Sequence, residues 1–89
     1  MADDLRPLLR RLLAPPGPSG FEGPAAAAFR EAARPVAAEV RGDALGTSYA
    51  VVNPGGRPRV ALVAHLDEIG FLVSHIDAHG MLWLSEVGS

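Results

Sequence analysis

The sequence predicts an α/β fold, because helical patterns come first along the chain and extended patterns follow. The helices are predicted at 4–13 and 24–34, and the strands at 39–43, 47–53, 59–64, 71–76 and 81–87. The run at 59–64 is almost continuously apolar, which is typical of a strand buried on both faces. The chain has 89 residues, which is enough for one small domain or for a part of a larger one.

The first predicted helix carries an apolar stripe with helical periodicity. Its members are Leu5, Leu8, Leu9, Leu12 and Leu13. This spacing predicts an ordinary core-facing helix. Asp3 or Asp4 can cap its start, and Pro7 fits because it falls in the first turn.

The start of the second helix has two interpretations. Ser19 and Glu22 have the spacing of a capping box, in which Ser19 caps the helix. Alternatively, the helix begins after Gly23 with Pro24 at its first position, and this alternative is favoured. Pro35 ends the helix. Ser19 is interpreted as a helix cap rather than a nucleophile, because no Gly-x-Ser-x-Gly motif surrounds it.

Composition and charge exclude several classes of partner. Ten acidic and eight basic residues give a net charge of -2 without a basic block, so no nucleic acid is expected. No apolar run approaches the ~18 residues of a membrane span, and the first residues do not resemble a signal peptide. A soluble, cytoplasmic protein is therefore expected. Because cysteine is absent, any metal site must use His, Asp or Glu.

The chemically informative residues follow the apolar run directly. His65 stands at its end and Asp67 lies two residues further, on the same side if the backbone stays extended. A carboxylate that holds one nitrogen of an imidazole orients the other nitrogen for a metal. The same triplet is also common as a plain surface pair, so both interpretations stay open. Glu68 adds a further negative charge.

Two other imidazoles are present, and neither has ligand spacing to His65. His79 lies in a predicted hairpin turn at 77–80 and is expected in solvent. His75 lies within a strand and is expected to be partly buried. One imidazole cannot hold a catalytic metal, since three or more protein ligands are normal.

The chain resembles the N-terminal portion of the tetrahedral dinuclear metallo-aminopeptidases. This family includes deblocking and glutamyl aminopeptidases, and some members carry an endoglucanase or cellulase label. The resemblance covers residues 8–24, 42–46 and 57–88, and its most specific part is Ala-His-Leu-Asp-Glu-Ile-Gly and the residues that follow, at 64–80. Thr47 departs from the Asn that the family usually has there.

The resemblance implies the fold and the site. Residues 1–70 would form the first part of a zinc-aminopeptidase-like α/β domain with a mixed sheet, and 71–89 the first hairpin of an inserted β domain. His65 would be a metal ligand, and the catalytic contribution of Asp67 would be to support that ligand. The complete enzyme would bind two divalent ions, zinc or cobalt, and would assemble as a homo-oligomer through the inserted domain.

The implied activity is removal of N-terminal residues from peptides, in which the metals polarise the carbonyl and a Glu moves the proton. That Glu and the remaining ligands have no counterpart in these 89 residues, so the isolated chain is expected to be inactive and to bind metal weakly or not at all. The alternative is a non-catalytic truncated module that binds a partner chain. Glycoside hydrolysis is disfavoured, because no placed pair of carboxylates is recognisable.

Overall fold

The computed structural model describes residues 4–88. Two helices precede two antiparallel hairpins, so the α/β class is confirmed. In chain order the elements are α1 (Arg6–Leu13), α2 (Gly23–Ala33), β1 (Glu39–Gly42), β2 (Ser48–Val51), β3 (Gly70–Ile76) and β4 (Leu82–Val87). Within the described residues β1 pairs with β2 and β3 with β4, as two separate sheets.

Helix α1 begins at Arg6, with Leu5 rather than an aspartate at the cap position, and ends before a proline pair. The carboxylate of Asp4 accepts the backbone N–H of Arg6 at 3.0 Å and also pairs with its guanidinium. Asp4 therefore satisfies one of the free amides at the helix start. Asp3, the other predicted cap, lies outside the described residues. The backbone N–H of Ala14 closes the last turn on the carbonyl of Arg10 at 2.9 Å.

Helix α2 begins at Gly23, and Pro24 occupies its first turn. The favoured alternative from the sequence is therefore correct, and Ser19 does not cap this helix. Ala25 and Ala26 are the only buried apolar residues among residues 4–88. Small side chains at these two positions allow the preceding loop to approach the helix closely.

Hairpin β1–β2 is organised by the turn between its strands. The carboxylate of Asp43 accepts the backbone N–H groups of Leu45 and Thr47, each at 3.0 Å, and the Tyr49 hydroxyl at 2.9 Å. The strands are shorter than predicted. β2 ends at Val51, and Asn53 adopts a left-handed conformation with φ 51° that breaks the extended backbone.

Hairpin β3–β4 matches its prediction. The register runs from Gly70 opposite Val87 to Ile76 opposite Leu82, with an irregularity near His75. In the turn, Asp77 accepts the backbone N–H groups of residues 79 and 81 at 2.9 and 3.0 Å. These two hydrogen bonds hold the turn between β3 and β4, as expected for a short hairpin loop.

The predicted buried strand at 59–64 is not formed. Residues 59–64 form no regular secondary structure and pair with no strand in the described part of the chain, and Leu62 and Val63 are 96% and 90% exposed. A strand requires a neighbour for its N–H and C=O groups. The four strands that do form are already paired with each other, so a mixed sheet does not arise within residues 4–88.

Two further burial predictions are wrong. His75 is exposed rather than partly buried. In the leucine stripe of α1 only Leu8 and Leu12 are more than half covered, while Leu5 and Leu13 are more than 60% exposed. The Cα radius of gyration is 17.2 Å, against about 12 Å for a compact domain of this length. The apolar faces therefore have too little chain around them to become a core.

The helices of the described chain are short. The longest helix between residues 4 and 88 has 11 residues, and none combines the length and apolarity that a bilayer crossing requires.

Candidate functional site

The site residues come from two segments that are far apart in sequence. The backbone N–H of Glu68 donates to the carbonyl of Gly17 at 2.8 Å, and Pro18 and Glu68 form an isolated parallel bridge. This contact joins the loop before α2 to the segment that carries His65 and Asp67. It is the structural basis of the site, because it sets the two segments side by side.

Two glycines give the loop its shape. A Cβ on Gly17 would lie 3.0 Å from the Cβ of Ala25, so only glycine fits this buried position without a shift of the helix. Gly20 has φ +89°, a left-handed conformation that favours glycine, and the turn is closed by the N–H of Phe21 on the carbonyl of Pro18 at 2.8 Å. Ser19 is thereby held at the tip of the turn.

His65 and Asp67 face each other, as the spacing predicts. The Nδ1 atom of His65 lies 3.1 Å from Oδ1 of Asp67 and 2.9 Å from its backbone carbonyl oxygen. Both neighbours of Nδ1 can only accept a hydrogen bond when the carboxylate is ionised, so Nδ1 carries the hydrogen. In the neutral form of the ring Nε2 then has a free lone pair, and the His65 side chain is 85% exposed.

The second carboxylate oxygen of Asp67 is also engaged. The hydroxyl of Ser19 donates to Oδ2 of Asp67 at 2.5 Å across 48 residues of sequence. The hydrogen bond from Ser19 lowers the pKa of Asp67 below its ordinary value and outweighs the opposing effect of burial, and the weaker hydrogen bond from His65 acts in the same direction as that from Ser19. The carboxylate is therefore ionised at neutral pH and accepts from both sides.

The other candidate residues do not join this pair. His75 and His79 lie in the β3–β4 hairpin, both exposed, and the solvated position predicted for His79 is confirmed. The side chain of Glu68 is exposed, and this residue contributes its backbone N–H to the bridge. Within residues 4–88, no three His, Asp or Glu side chains cluster closely enough to hold a metal ion.

The donor set fits one coordination position rather than a whole site. A neutral imidazole whose Nδ1–H is held by a carboxylate is the usual form of a metal-ligating histidine. A closed metal site needs three or more protein ligands. The described residues therefore provide one imidazole that a carboxylate orients, and this falls short of a closed metal site.

Sequence reasoning missed the contribution of Ser19. Its spacing to Glu22 suggested a helix cap, whereas its hydroxyl binds Asp67 and the Glu22 side chain accepts the N–H of Gly20 at 2.6 Å. No local pattern indicates a contact across 48 residues. The only available signal is that Ser19 lies in one of the stretches that carry the family resemblance.

Comparisons with known proteins show which family this chain resembles. The sequence model of the M42 glutamyl aminopeptidase family matches residues 46–89. The chain is 35% identical over 85 residues to a lysyl aminopeptidase of Pyrococcus furiosus, covering 91% of this chain and 23% of that protein. It also superposes on the crystal structure of a TET aminopeptidase from a marine sediment Thaumarchaeota archaeon, with a TM-score of 0.80 and 37% identity, covering 98% of this chain and 25% of that one.

The chain thus spans about a quarter of the length of the relatives that it matches. Over that quarter, the sequence similarity and the backbone superposition extend through both helices and both hairpins. The family match includes the segment with His65 and Asp67. From the sequence model, the relatives and the shared fold together, the chain belongs to the M42 aminopeptidase family.

Proposed function

We propose that this chain is part of a metal-dependent aminopeptidase that removes N-terminal residues from peptides. The observation that carries the proposal is the His65–Asp67 pair, in which the carboxylate holds Nδ1 at 3.1 Å and leaves Nε2 free in solvent. The M42 family is metal-dependent. A ligand prepared in this way is what a peptidase of this class needs from this segment.

In this proposal His65 is a metal ligand and Asp67 fixes its tautomer and orientation. The ionised carboxylate keeps the proton on Nδ1 and makes the imidazole a better electron donor. The metal pair, zinc or cobalt, supplies polarisation of the scissile carbonyl when bound. The remaining ligands and the group that moves the proton would come from parts of the enzyme beyond the described residues.

The domain division and the assembly are part of the same proposal. Residues 1–70 would belong to the peptidase domain and 71–89 to an inserted β domain through which copies associate. The support is the hairpin, whose Phe71, Met81 and Trp83 are each about 60% exposed and have no core beneath them in the described structure. A second copy of the chain is the proposed occupant of this surface.

The test uses the complete protein encoded by the reading frame that contains these residues. His65→Ala should lose one of two bound metal ions and most of the hydrolysis of amino-acid anilides. Asp67→Asn keeps the shape but weakens the hold on the imidazole, and metal affinity should fall about 10–100-fold. Metal content is measured by elemental analysis and activity by release of the anilide chromophore.

His79→Ala is the matched control, because it removes an exposed imidazole from the hairpin turn without touching the pair. It should keep both metals and full activity. Two metals retained in His65→Ala would contradict the ligand assignment. A reading frame that encodes no further metal ligands would instead favour the non-catalytic module that binds a partner chain.

A further inference from the structure

Ser19 occupies a position that neither helix capping nor nucleophilic chemistry explains. It is half-buried at the tip of the 17–20 loop, and its hydroxyl donates to Oδ2 of Asp67. The carbonyl of Gly17 anchors the same loop to Glu68 at 2.8 Å. The turn that carries the hydroxyl is therefore itself hydrogen-bonded to the segment that contains His65 and Asp67.

A carboxylate that is held through one oxygen can still rotate about its bond to Cβ. In Asp67, Oδ1 faces the imidazole and Oδ2 faces Ser19, so the two contacts together define the plane of the group. Because Asp67 is about 40% exposed, water would otherwise compete for Oδ2. The Ser19 hydroxyl takes the place of such a water molecule and is a fixed hydrogen-bond donor to Oδ2.

We propose that Ser19 is a positioning residue that acts on the metal ligand through Asp67. The order of contacts is Ser19 hydroxyl, Asp67 carboxylate, His65 imidazole, with Nε2 of His65 as the atom that is finally oriented. This inference rests on the proposed function, since it assigns Ser19 to the same metal site. In this proposal Ser19 acts through Asp67 and is not itself a metal ligand.

The end of β4 also lies near the serine. A Cβ on Gly88 would be 3.4 Å from the Ser19 hydroxyl. The hydroxyl is therefore close both to Asp67 and to the residue that follows β4. The loop before α2 and the hairpin strand both border the group that orients the ligand.

The experiment measures zinc affinity of the complete protein by competition with a chromogenic chelator. Ser19→Ala should weaken zinc binding about tenfold, the lower end of the range for residues that support a ligand. Ser19→Thr keeps the hydroxyl and should retain affinity, whereas Ser19→Val has the same shape without the donor and should lose it. Ser74→Ala is the control, because the Ser74 hydroxyl binds a backbone carbonyl in the β3–β4 hairpin.

A double-mutant cycle separates positioning from general stability. In the Asp67→Asn background, Ser19→Ala should change zinc affinity less than about twofold, since its target has already been altered. Equal losses in both backgrounds, or equal affinities of the Thr and Val variants, would overturn the proposal. The thermal midpoint of each variant is recorded alongside, because a purely structural role would lower it without this pattern.

Failure of the proposed function gives a different result. If His65→Ala leaves zinc affinity unchanged, the metal assignment itself is wrong and the role of Ser19 is overturned with it. If His65→Ala and Asp67→Asn weaken zinc binding while Ser19→Ala and Ser19→Val do not, only the present inference fails. The Ser19→Thr and Ser19→Val pair keeps the test valid even if Ser19→Ala proves difficult to purify.

Discussion

The segment at 59–64 and strand β3 are both apolar, yet only one of them is paired. β3 hydrogen-bonds to β4 along its length, while residues 59–64 remain unpaired and exposed. The difference lies in where the partner comes from. The partner of β3 follows after a connection of five residues, across the turn that Asp77 organises, whereas the 59–64 segment has no partner nearby in sequence.

Local closure therefore decides which apolar runs become strands in this part of the protein. Closing a short loop costs little conformational entropy, and a turn residue that satisfies the loop amides reduces the cost further. A segment whose strand partners are distant in sequence gains no stabilisation from pairing until those partners are in place. The same distinction separates the locally paired hairpins from the leucine stripe of α1, which stays largely exposed.

The largest expected effect concerns the unpaired segment. The isolated 89-residue chain should self-associate at micromolar concentration, because open backbone groups and exposed apolar side chains favour pairing between chains. Leu62→Glu should reduce this association more than Leu45→Glu, although the two leucines are 96% and 93% exposed. Sedimentation velocity is the measurement. A compact monomer that unfolds cooperatively would contradict the expectation and favour an autonomous module.

A smaller effect is expected in the turn of the paired region. Asp77→Ala removes the acceptor for two backbone N–H groups and for the indole of Trp83, so amide protection in β3 and β4 should fall by about tenfold. Asp77→Asn keeps one acceptor oxygen and should preserve most of the protection. Hydrogen exchange followed by NMR tests this, with β1–β2 as the internal reference. An equal loss in both hairpins would show that they are not independent.

The smallest effect is the acid dependence of the same hairpin. Backbone hydrogen bonding, chiefly from Met81, lowers the pKa of Asp77 in the folded chain. A lowered folded pKa means that the stabilisation is fully present above the unfolded value of about 3.9 and is lost as the pH falls through the folded pKa. The fluorescence of Trp83, the single tryptophan, should report this loss in acid. Asp77→Asn should abolish the transition; its persistence would assign it to another carboxyl.

In the candidate site too, the contact between near neighbours could be predicted from the sequence and the contact between distant residues could not. The pairing of His65 with Asp67 could be predicted, because two residues in extended backbone place both side chains on one face. The exposure of residues 59–64 could not be predicted. Their apolar composition indicates that the segment would be buried in a complete core, but it does not show whether neighbouring residues are present to bury it. The contact of Ser19 with Asp67 could not be predicted either, since its local spacing suggested a cap instead.

By itself, the sequence determined the features that depend on near neighbours: both helices with their proline-defined ends, both hairpins with their aspartate turns, and the imidazole–carboxylate pair. The tertiary structure alone decided that residues 59–64 stay unpaired and that Ser19 completes the hydrogen bonding of Asp67 across 48 residues. The physical reason is the range of the interactions. Backbone propensity and turn chemistry act over a few residues, whereas strand pairing and the docking of a loop depend on which distant groups the rest of the chain brings together.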